Sequence, residues 1–348
     1  MDQSYQEYSG DDLIDSGKLF SRRKILGGAA ATALLAGCKQ SSVRTLRAAE
    51  FHPPNYPTSQ AILEMGRLMG LYSNGTLGLK LYAGSQLGSE RDTLELTTFG
   101  GIDINRVALA PLNSIEPMTS IPALPFIFNN VAHMRAAMDG APGQTVMTSL
   151  ERHGLIGLCY YDSGARSFYN TKKPIRTPED MAGMKLRVQN SDLYISLVEA
   201  LGANPTPMPL GEVYQSLVQG VVDGAENNWP SYFEGRHFEV AKYYSLTRHV
   251  IAPEVLIMSA QSWHRLSEKD QEIIQRSAKE SVPVMRELWD AKTKEAQENI
   301  IAAKVAVNEV DDKEAFVERM KPVWDEYVQS PAQKRLVDEI REMGADHA

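Results

Sequence analysis

Strand-like and helix-like patterns alternate along most of this chain. Apolar runs with the length and composition of buried strands lie at residues 48–51, 77–81, 102–109 and 155–161. Apolar side chains recur at helical spacing between and after them, at residues 56–72, 90–99, 131–138 and 143–152. Alternation of this kind predicts an α/β architecture.

The C-terminal part of the chain has a different pattern. From residue 261 to about residue 304 it is dense in helix-forming residues, with a capping box at residues 267–270. Pro283 interrupts this segment and predicts a bend or a helix start. A short strand at 305–310 and amphipathic helices at 313–327 and 333–343 follow. A coiled coil is the alternative, but sustained apolar heptads are missing, so the pattern favours a long helix that braces the α/β body.

Two composition shifts indicate a two-lobed organisation. Residues 162–164 and 251–253 each follow a strand-like run and are typical of crossings between lobes. They divide the chain into a first lobe and a second lobe. The first comprises residues 46–164 plus about 253–292, and the second comprises 165–252 plus about 293–348.

The N-terminal segment, residues 1–38, predicts an export signal. Arg22 and Arg23 form a twin-arginine pattern. The apolar run that follows, 25–37, is shorter than the roughly 20 residues of a membrane span. It ends at Leu35-Ala36-Gly37-Cys38, which resembles a bacterial lipobox and implies lipidation of Cys38. An ordinary cleaved signal and a short membrane anchor are the alternatives.

Composition narrows the class of protein. The 348 residues are 43% hydrophobic and carry a formal net charge of -8, which argues against a nucleic-acid partner. The chain has two cysteines. If Cys38 is lipidated, Cys159 has no partner for an intrachain disulfide, and its apolar surroundings predict a buried strand residue.

The candidate chemistry is that of binding. Arg187 ends the short apolar run 184–188, a helix-forming segment follows, and residues 223–228 then form a loop rich in hydrogen-bonding side chains. A guanidinium can donate two parallel hydrogen bonds to a carboxylate, so this pattern predicts a small-carboxylate site. An exported hydrolase is the rival, but the sequence has no Gly-x-Ser-x-Gly motif and its histidines lack metal-ligand spacing. We expect no catalytic residues, cofactor or metal ion.

Several segments in order carry a family resemblance. The run 173–188 resembles a signature of the substrate-binding proteins of tripartite ATP-independent periplasmic (TRAP) transporters, the DctP-like family. Similarity continues through residues 85–88, 124–126, 201–205, 212–214 and 223–227, and covers roughly 46–345. The resemblance implies two α/β lobes with crossing strands and a long helix. It also implies a periplasmic monomer that closes on a ligand and delivers it to a membrane permease. A receptor subunit for a sensor kinase would use the same fold.

The resemblance also implies roles for individual residues. The arginine at the position of Arg187 pairs with the ligand carboxylate, and residues at the positions of Arg166 and Asn227 assist. Asn228 replaces the proline usual after that asparagine. Arg187 could instead pair on the surface, Arg166 could tie the hinge, and Asn227 could cap a helix near Trp229.

Other candidates rest on position in the pattern. Arg106 lies late in a strand, where α/β sites open, but could equally form an interlobe ion pair. Glu90 could contact the ligand, or its negative charge could simply stabilise the N-terminal turn of its helix. His52, in the loop after the first strand, can face the cleft, and Gln189 follows Arg187 closely.

The inventory of polar groups narrows the ligand class. A dicarboxylate needs two cationic clamps, whereas Glu90, Gln189, Asn227 and Asn228 suit sugar hydroxyls. Residues 161–170 and 226–232 resemble the uronic-acid-binding branch of the family. We therefore expect a hexuronate such as glucuronate or galacturonate; another hydroxy acid or a dicarboxylate is the alternative.

Overall fold

A computed structural model describes residues 43–347, without the side chains of residues 346 and 347. The predicted export signal and Cys38 lie outside the described residues. The strands are β1 (Arg44–Ala49), β2 (Leu77–Tyr82), β3 (Ile104–Ala108), β4 (Leu155–Asn170), β5 (Lys185–Val188), β6 (Asn204–Pro207), β7 (Gly224–Asn227), β8 (Tyr243–Ser259) and β9 (Ala306–Glu309).

Helices alternate with these strands in the first two thirds of the described chain and follow one another near its C-terminus. The α-helices are α1 (Pro57–Tyr72), α2 (Glu90–Thr98), α3 (Val131–Asp139), α4 (Ala141–Ser149), α5 (Asp192–Ala200), α6 (Val213–Val218), α7 (Trp229–Glu234), α8 (Ala260–Trp263), α9 (Glu268–Ala302), α10 (Lys313–Arg319), α11 (Lys321–Tyr327) and α12 (Pro331–Met343). The predicted α/β class is confirmed.

One continuous sheet runs through the described part of the chain. Its strand order is β2-β1-β3-β8-β4-β7-β5-β6, with β9 beside β8. The strands β1, β2 and β3 pair in parallel at one end, and β5, β6 and β7 pair in parallel at the other. The long antiparallel pair β4–β8 joins the two ends. The predicted crossing segments 162–164 and 251–253 lie inside these two long strands, so β4 continues past residue 161 to Asn170.

The crossing in β4 depends on a glycine. The register of β4 against β8 shifts between Asp162 and Gly164. Gly164 has φ +61, and a Cβ there would lie 3.1 Å from Nε1 of Trp289 in α9. A side chain at this position would therefore be strained by the backbone and crowded by the indole.

The long helix α9 confirms the predicted brace. It contains 35 residues and passes through Pro283 without ending. Its Ile274, Met285 and Trp289 pack in the core that contains β1 and α1. Further along, Ala296 and Ile300 pack in a second core with residues of β7 and α7. One helix thus buries apolar surface at both ends of the sheet.

Three predictions of local structure were wrong. Residues 223–228, predicted as a loop, contain the strand β7. The first strand begins at Arg44 rather than residue 48, because the chain already pairs in parallel with β2 from Arg44 onward. The predicted helix 313–327 is two helices, α10 and α11, since Pro322 stands at the start of α11 and cannot continue the preceding hydrogen-bond ladder. The proposed lobe limits stay a prediction.

Candidate functional site

A cavity of about 340 Å³ opens at the middle of the sheet, within the size range of small-molecule sites. It lies where β1, β5 and β7 end and where β4 and β8 pass in mid-strand. Ligands of open α/β sheets bind beyond the carboxyl ends of the strands. The topology therefore brings together residues that are far apart in sequence.

Arg187, in β5, lines the cavity with a charge that no described carboxylate pairs. Arg187 is only 3% exposed. Nε and Nη2 donate to the carbonyl oxygen of Met208 at 2.9 and 2.8 Å. Nη1 is buried and has no hydrogen-bond partner among the described residues. Burial lowers the pKa of Arg187, yet an arginine in a protein stays protonated. The side chain is thus fixed in place, with Nη1 and its two N–H groups unused.

Arg166 lines the same cavity, but its charge is already balanced. Its Nε and Nη2 donate to the carboxylate of Glu226 at 2.5 and 2.8 Å, and both side chains are buried. Burial opposes ionisation of Glu226, but Arg166 outweighs it and lowers the pKa of Glu226 to about 2. Nε2 of His249 lies 3.6 Å from the same carboxylate. Because of this bidentate ion pair, Arg166 and Glu226 together present a dipole to the cavity rather than a net positive charge.

Acidic groups line another part of the cavity. Glu90, the first residue of α2, accepts a hydrogen bond from the amide of Ala108 at 2.6 Å. Burial raises the pKa of Glu90 to about 8. Glu254, in β8, accepts from Nη1 of Arg106 at 2.8 Å, and burial raises its pKa as well. Arg106 itself is absent from the cavity lining, because it is fully buried between Glu254 and Glu50.

Two histidines contribute neutral rings. Burial lowers the pKa of His52 to about 3, helped by Arg166. Burial likewise lowers the pKa of His237 to about 3, helped by Arg187. His52 stacks on the ring of Tyr56 at a centroid distance of 3.7 Å, and Nδ1 of His237 lies 2.7 Å from a tyrosine hydroxyl. Both rings are therefore uncharged near neutral pH and can exchange hydrogen bonds with hydroxyls.

The structure brings together six of the eight predicted binding residues. The cavity is lined by Arg187, Arg166, Asn227, His52, Glu90 and Gln189.

Arg106 and Asn228 lie behind the cavity wall. Asn228 is the N-cap of α7: its Oδ1 accepts from the amide of Ser231 at 2.7 Å, and its Nδ2 donates to Ser163. Arg106 is ion-paired, but its partners Glu50 and Glu254 both fall within the predicted first lobe, so the expected interlobe character of the pair is not seen. These placements favour structural roles for both residues rather than ligand contact.

Sequence reasoning missed Glu254 and His237. Glu254 directly follows the predicted crossing segment 251–253. An acidic residue at a crossing between lobes could have been recognised as a candidate cavity residue. His237 begins a single 3-10 turn, His237–Glu239, which carries no local sign of facing a cavity. Its position depends on the packing of α7, so only the tertiary structure reveals it.

The described residues contain no group of three or more His, Cys, Asp or Glu side chains arranged to hold a metal ion. Over the same residues, no helix has the length and apolar character of a membrane span. A sheet crossed by two long strands, with a cavity at its middle and a fixed arginine donor, is typical of a class: the two-lobed solute-binding proteins.

Comparisons with known proteins give the family. Residues 48–330 match the model of the DctP family, bacterial extracellular solute-binding protein family 7. The chain is 42% identical over 292 residues to a solute-binding protein of Chromohalobacter salexigens, covering 84% of this chain and 87% of that protein.

Solved structures of TRAP periplasmic solute-binding proteins are similar throughout. One from Bradyrhizobium sp. BTAi1, in complex with galacturonate, is 46% identical with a TM-score of 0.85, covering 86% of this chain and 100% of that chain. One from Chromohalobacter salexigens, with bound D-glucuronate, is 41% identical with a TM-score of 0.83, covering 86% and 99%. This chain therefore belongs to the DctP family and is a TRAP solute-binding protein. The predicted family and the two-lobed fold are confirmed, and the family consists of binding proteins rather than enzymes.

Proposed function

We propose that this protein captures a hexuronate, galacturonate or glucuronate, through a carboxylate contact with Arg187. The observation that carries the proposal is the buried Nη1 of Arg187, which has no partner among the described residues. A buried donor without a partner costs stability, roughly 1–3 kcal/mol and more for a charged group. A ligand carboxylate would supply the missing partner and the missing charge.

The rest of the cavity suits hydroxyl groups. Arg166 is neutralised by Glu226, so the described cavity offers one unpaired buried cation rather than two. Asn227 and Gln189 add amide groups, and His52 and His237 add neutral rings. One carboxylate with several hydroxyls is the chemistry of a uronic acid. Similar structures contain galacturonate or glucuronate, which supports this assignment.

We further propose that the protein acts as a monomer in the periplasm and delivers its ligand to the membrane permease of a TRAP transporter. Membership of the family supports this role. Export by the twin-arginine route and lipidation at Cys38 remain proposals from residues 22–23 and 35–38. Intact-mass analysis of the mature protein tests the anchor. A lipid-modified chain beginning at Cys38 is expected, and an unmodified chain beginning near Glu50 would contradict the proposal.

A thermal-shift panel tests the ligand class. A ligand at about 100 times its Kd stabilises the folded state by ~2.7 kcal/mol. Galacturonate or glucuronate should raise the melting temperature, whereas succinate and glutamate should not at equal concentration. Stabilisation by succinate with no response to either uronate would overturn the ligand assignment and leave the family assignment intact.

A further inference from the structure

The buried ionisable groups that line the cavity or lie directly behind its lining are segregated along the sheet. Glu254 and Arg106 lie on β8 and β3, with Glu50 directly after β1. Arg166 and Arg187 lie on β4 and β5. In the strand order, β1-β3-β8 are consecutive and are followed by β4-β7-β5. The boundary between the two sets therefore falls at the β8–β4 pair.

The first set carries an excess of carboxylates, which we name the acidic wall: Glu50, Glu90 and Glu254 around the guanidinium of Arg106. Nε of Arg106 donates to Glu50 at 2.7 Å, and Nη1 lies 2.8 Å from Glu254 and 3.9 Å from Glu90. One guanidinium against three carboxylates leaves a net charge of -2 when all are ionised, and -1 when one holds a proton. Burial raises the pKa of both Glu90 and Glu254, and the charge of Glu254 raises that of Glu90 further.

The second set carries the opposite imbalance. Arg166 and Glu226 cancel, and Arg187 adds one positive charge that no described carboxylate pairs. Both Glu90 and Glu254 line the cavity that Arg187 lines. The cavity is thus polarised, with a cationic part at Arg187 and an anionic part at Glu90 and Glu254.

We propose that Glu90 and Glu254 are specificity-determining residues that accept hydrogen bonds from ligand hydroxyls and reject a ligand with a second carboxylate group. This inference rests on the proposed function, since it presumes that one carboxylate contacts Arg187. A carboxylate placed against the acidic wall would meet like charge in a desolvated site, and such contacts suppress wrong partners strongly. A hydroxyl at the same place would donate to Glu90 or Glu254. The wall therefore distinguishes sugar acids with one carboxyl group from their diacid counterparts.

The test uses two open-chain acids that differ at one end. Galactonate and galactarate share the same hydroxyl pattern, but galactarate has a carboxylate where galactonate has a hydroxymethyl group. Calorimetry of the purified proteins at pH 9, where Glu90 with its pKa of about 8 is ionised, gives the ratio of their Kd values. We expect the wild-type protein to prefer galactonate on the order of 100-fold. The variants Glu90→Gln and Glu254→Gln should each lower that ratio by at least about tenfold, because the charge is lost while an acceptor oxygen remains.

Glu234→Gln is the matched control. Glu234 also lines the cavity, but it is ion-paired with Lys292, so its removal should leave the ratio unchanged. If Glu254→Gln fails to fold because Arg106 loses a partner, Glu90→Gln still decides, since a glutamine oxygen can accept from the amide of Ala108.

The outcomes separate this inference from the proposed function. Equal ratios in the wild-type protein and both variants would overturn the acidic wall as a selector, as would a wild-type protein that binds galactarate as well as galactonate. If the wild-type protein binds neither open-chain acid, gained binding of galactarate by a variant supports the inference and no gain overturns it. Failure of galacturonate to bind the wild-type protein would refute the proposed function instead.

Discussion

Replacing Arg187 by alanine should abolish most ligand binding while leaving the folded protein intact. Among the described residues, the side chain hydrogen-bonds only to the carbonyl of Met208 and forms no close ion pair, although Glu226 and Glu90 act on its charge at longer range. Removing it deletes two hydrogen bonds but also an unpaired buried charge. These effects oppose each other, so the free energy of unfolding of the ligand-free protein should change by no more than about 1 kcal/mol.

The effect on binding should be much larger. Truncating one partner of a buried charge pair costs about 2–5 kcal/mol, much of it from the anion left without a partner. That range corresponds to a Kd for galacturonate that is weaker by roughly 30-fold to 5,000-fold. Arg187→Lys should recover only part of the loss, because a point charge cannot reproduce the guanidinium fork.

Calorimetric titration with galacturonate measures the loss, and two controls show its cause. Arg91 lines the rim of the same cavity but its side chain is 72% exposed, so Arg91→Ala should change the binding free energy by less than about 1 kcal/mol. Galactose, which lacks the carboxylate, should bind the wild-type protein and Arg187→Ala equally weakly. A Kd for galacturonate in Arg187→Ala within about threefold of wild type would refute the carboxylate assignment, since threefold is under 1 kcal/mol.

Two further predictions concern stability. Arg166→Met should lower the free energy of unfolding by about 3–5 kcal/mol in urea titrations, because it leaves Glu226 buried without its partner; a loss no larger than that of Arg187→Ala would contradict the different roles assigned to the two arginines. The pKa of Glu90 is about 8 in the folded protein against an ordinary value of 4.5, so the ligand-free folded state holds an extra proton between these values. The stability that protonated Glu90 contributes is therefore fully present below pH 4.5 and is lost as the pH rises to 8. The free energy of unfolding falls over this range by at most about 1.4 kcal/mol per pH unit. Glu90→Gln should flatten that decline in melting temperature, and an unchanged pH profile would argue against the raised pKa.

Local patterns predicted the fold and the position of Arg187 well. The apolar run 184–188 places that arginine at the end of a strand whatever the rest of the chain does, and α/β topology then places it at the cavity. The long helix was also predictable, because a serine N-cap at Ser267 and dense helix formers define it locally. The break at Pro322 was equally local, and reading proline at a helix start would have found it.

Long-range pairing explains what could not be predicted. Arg106 is separated in sequence from Glu50 by 56 residues and from Glu254 by 148. Nothing near Arg106 in the sequence indicates that two distant carboxylates will pair with it. The same limit applies to Glu226, which balances Arg166 across 60 residues. The role of Asn228, in contrast, is local, because an asparagine before Trp-Pro is a recognisable helix N-cap. The capping alternative stated for Asn227 belongs to this neighbouring residue.

A crystal structure of the protein with bound galacturonate tests directly whether Arg187 contacts the ligand carboxylate. The account predicts a carboxylate oxygen of the ligand within hydrogen-bonding distance of Nη1 of Arg187, about 2.7–2.9 Å for a charge-assisted bond. The sugar hydroxyls should then lie toward Glu90 and Glu254. A ligand whose carboxylate contacts another residue, with Nη1 of Arg187 still without a partner, would contradict the account.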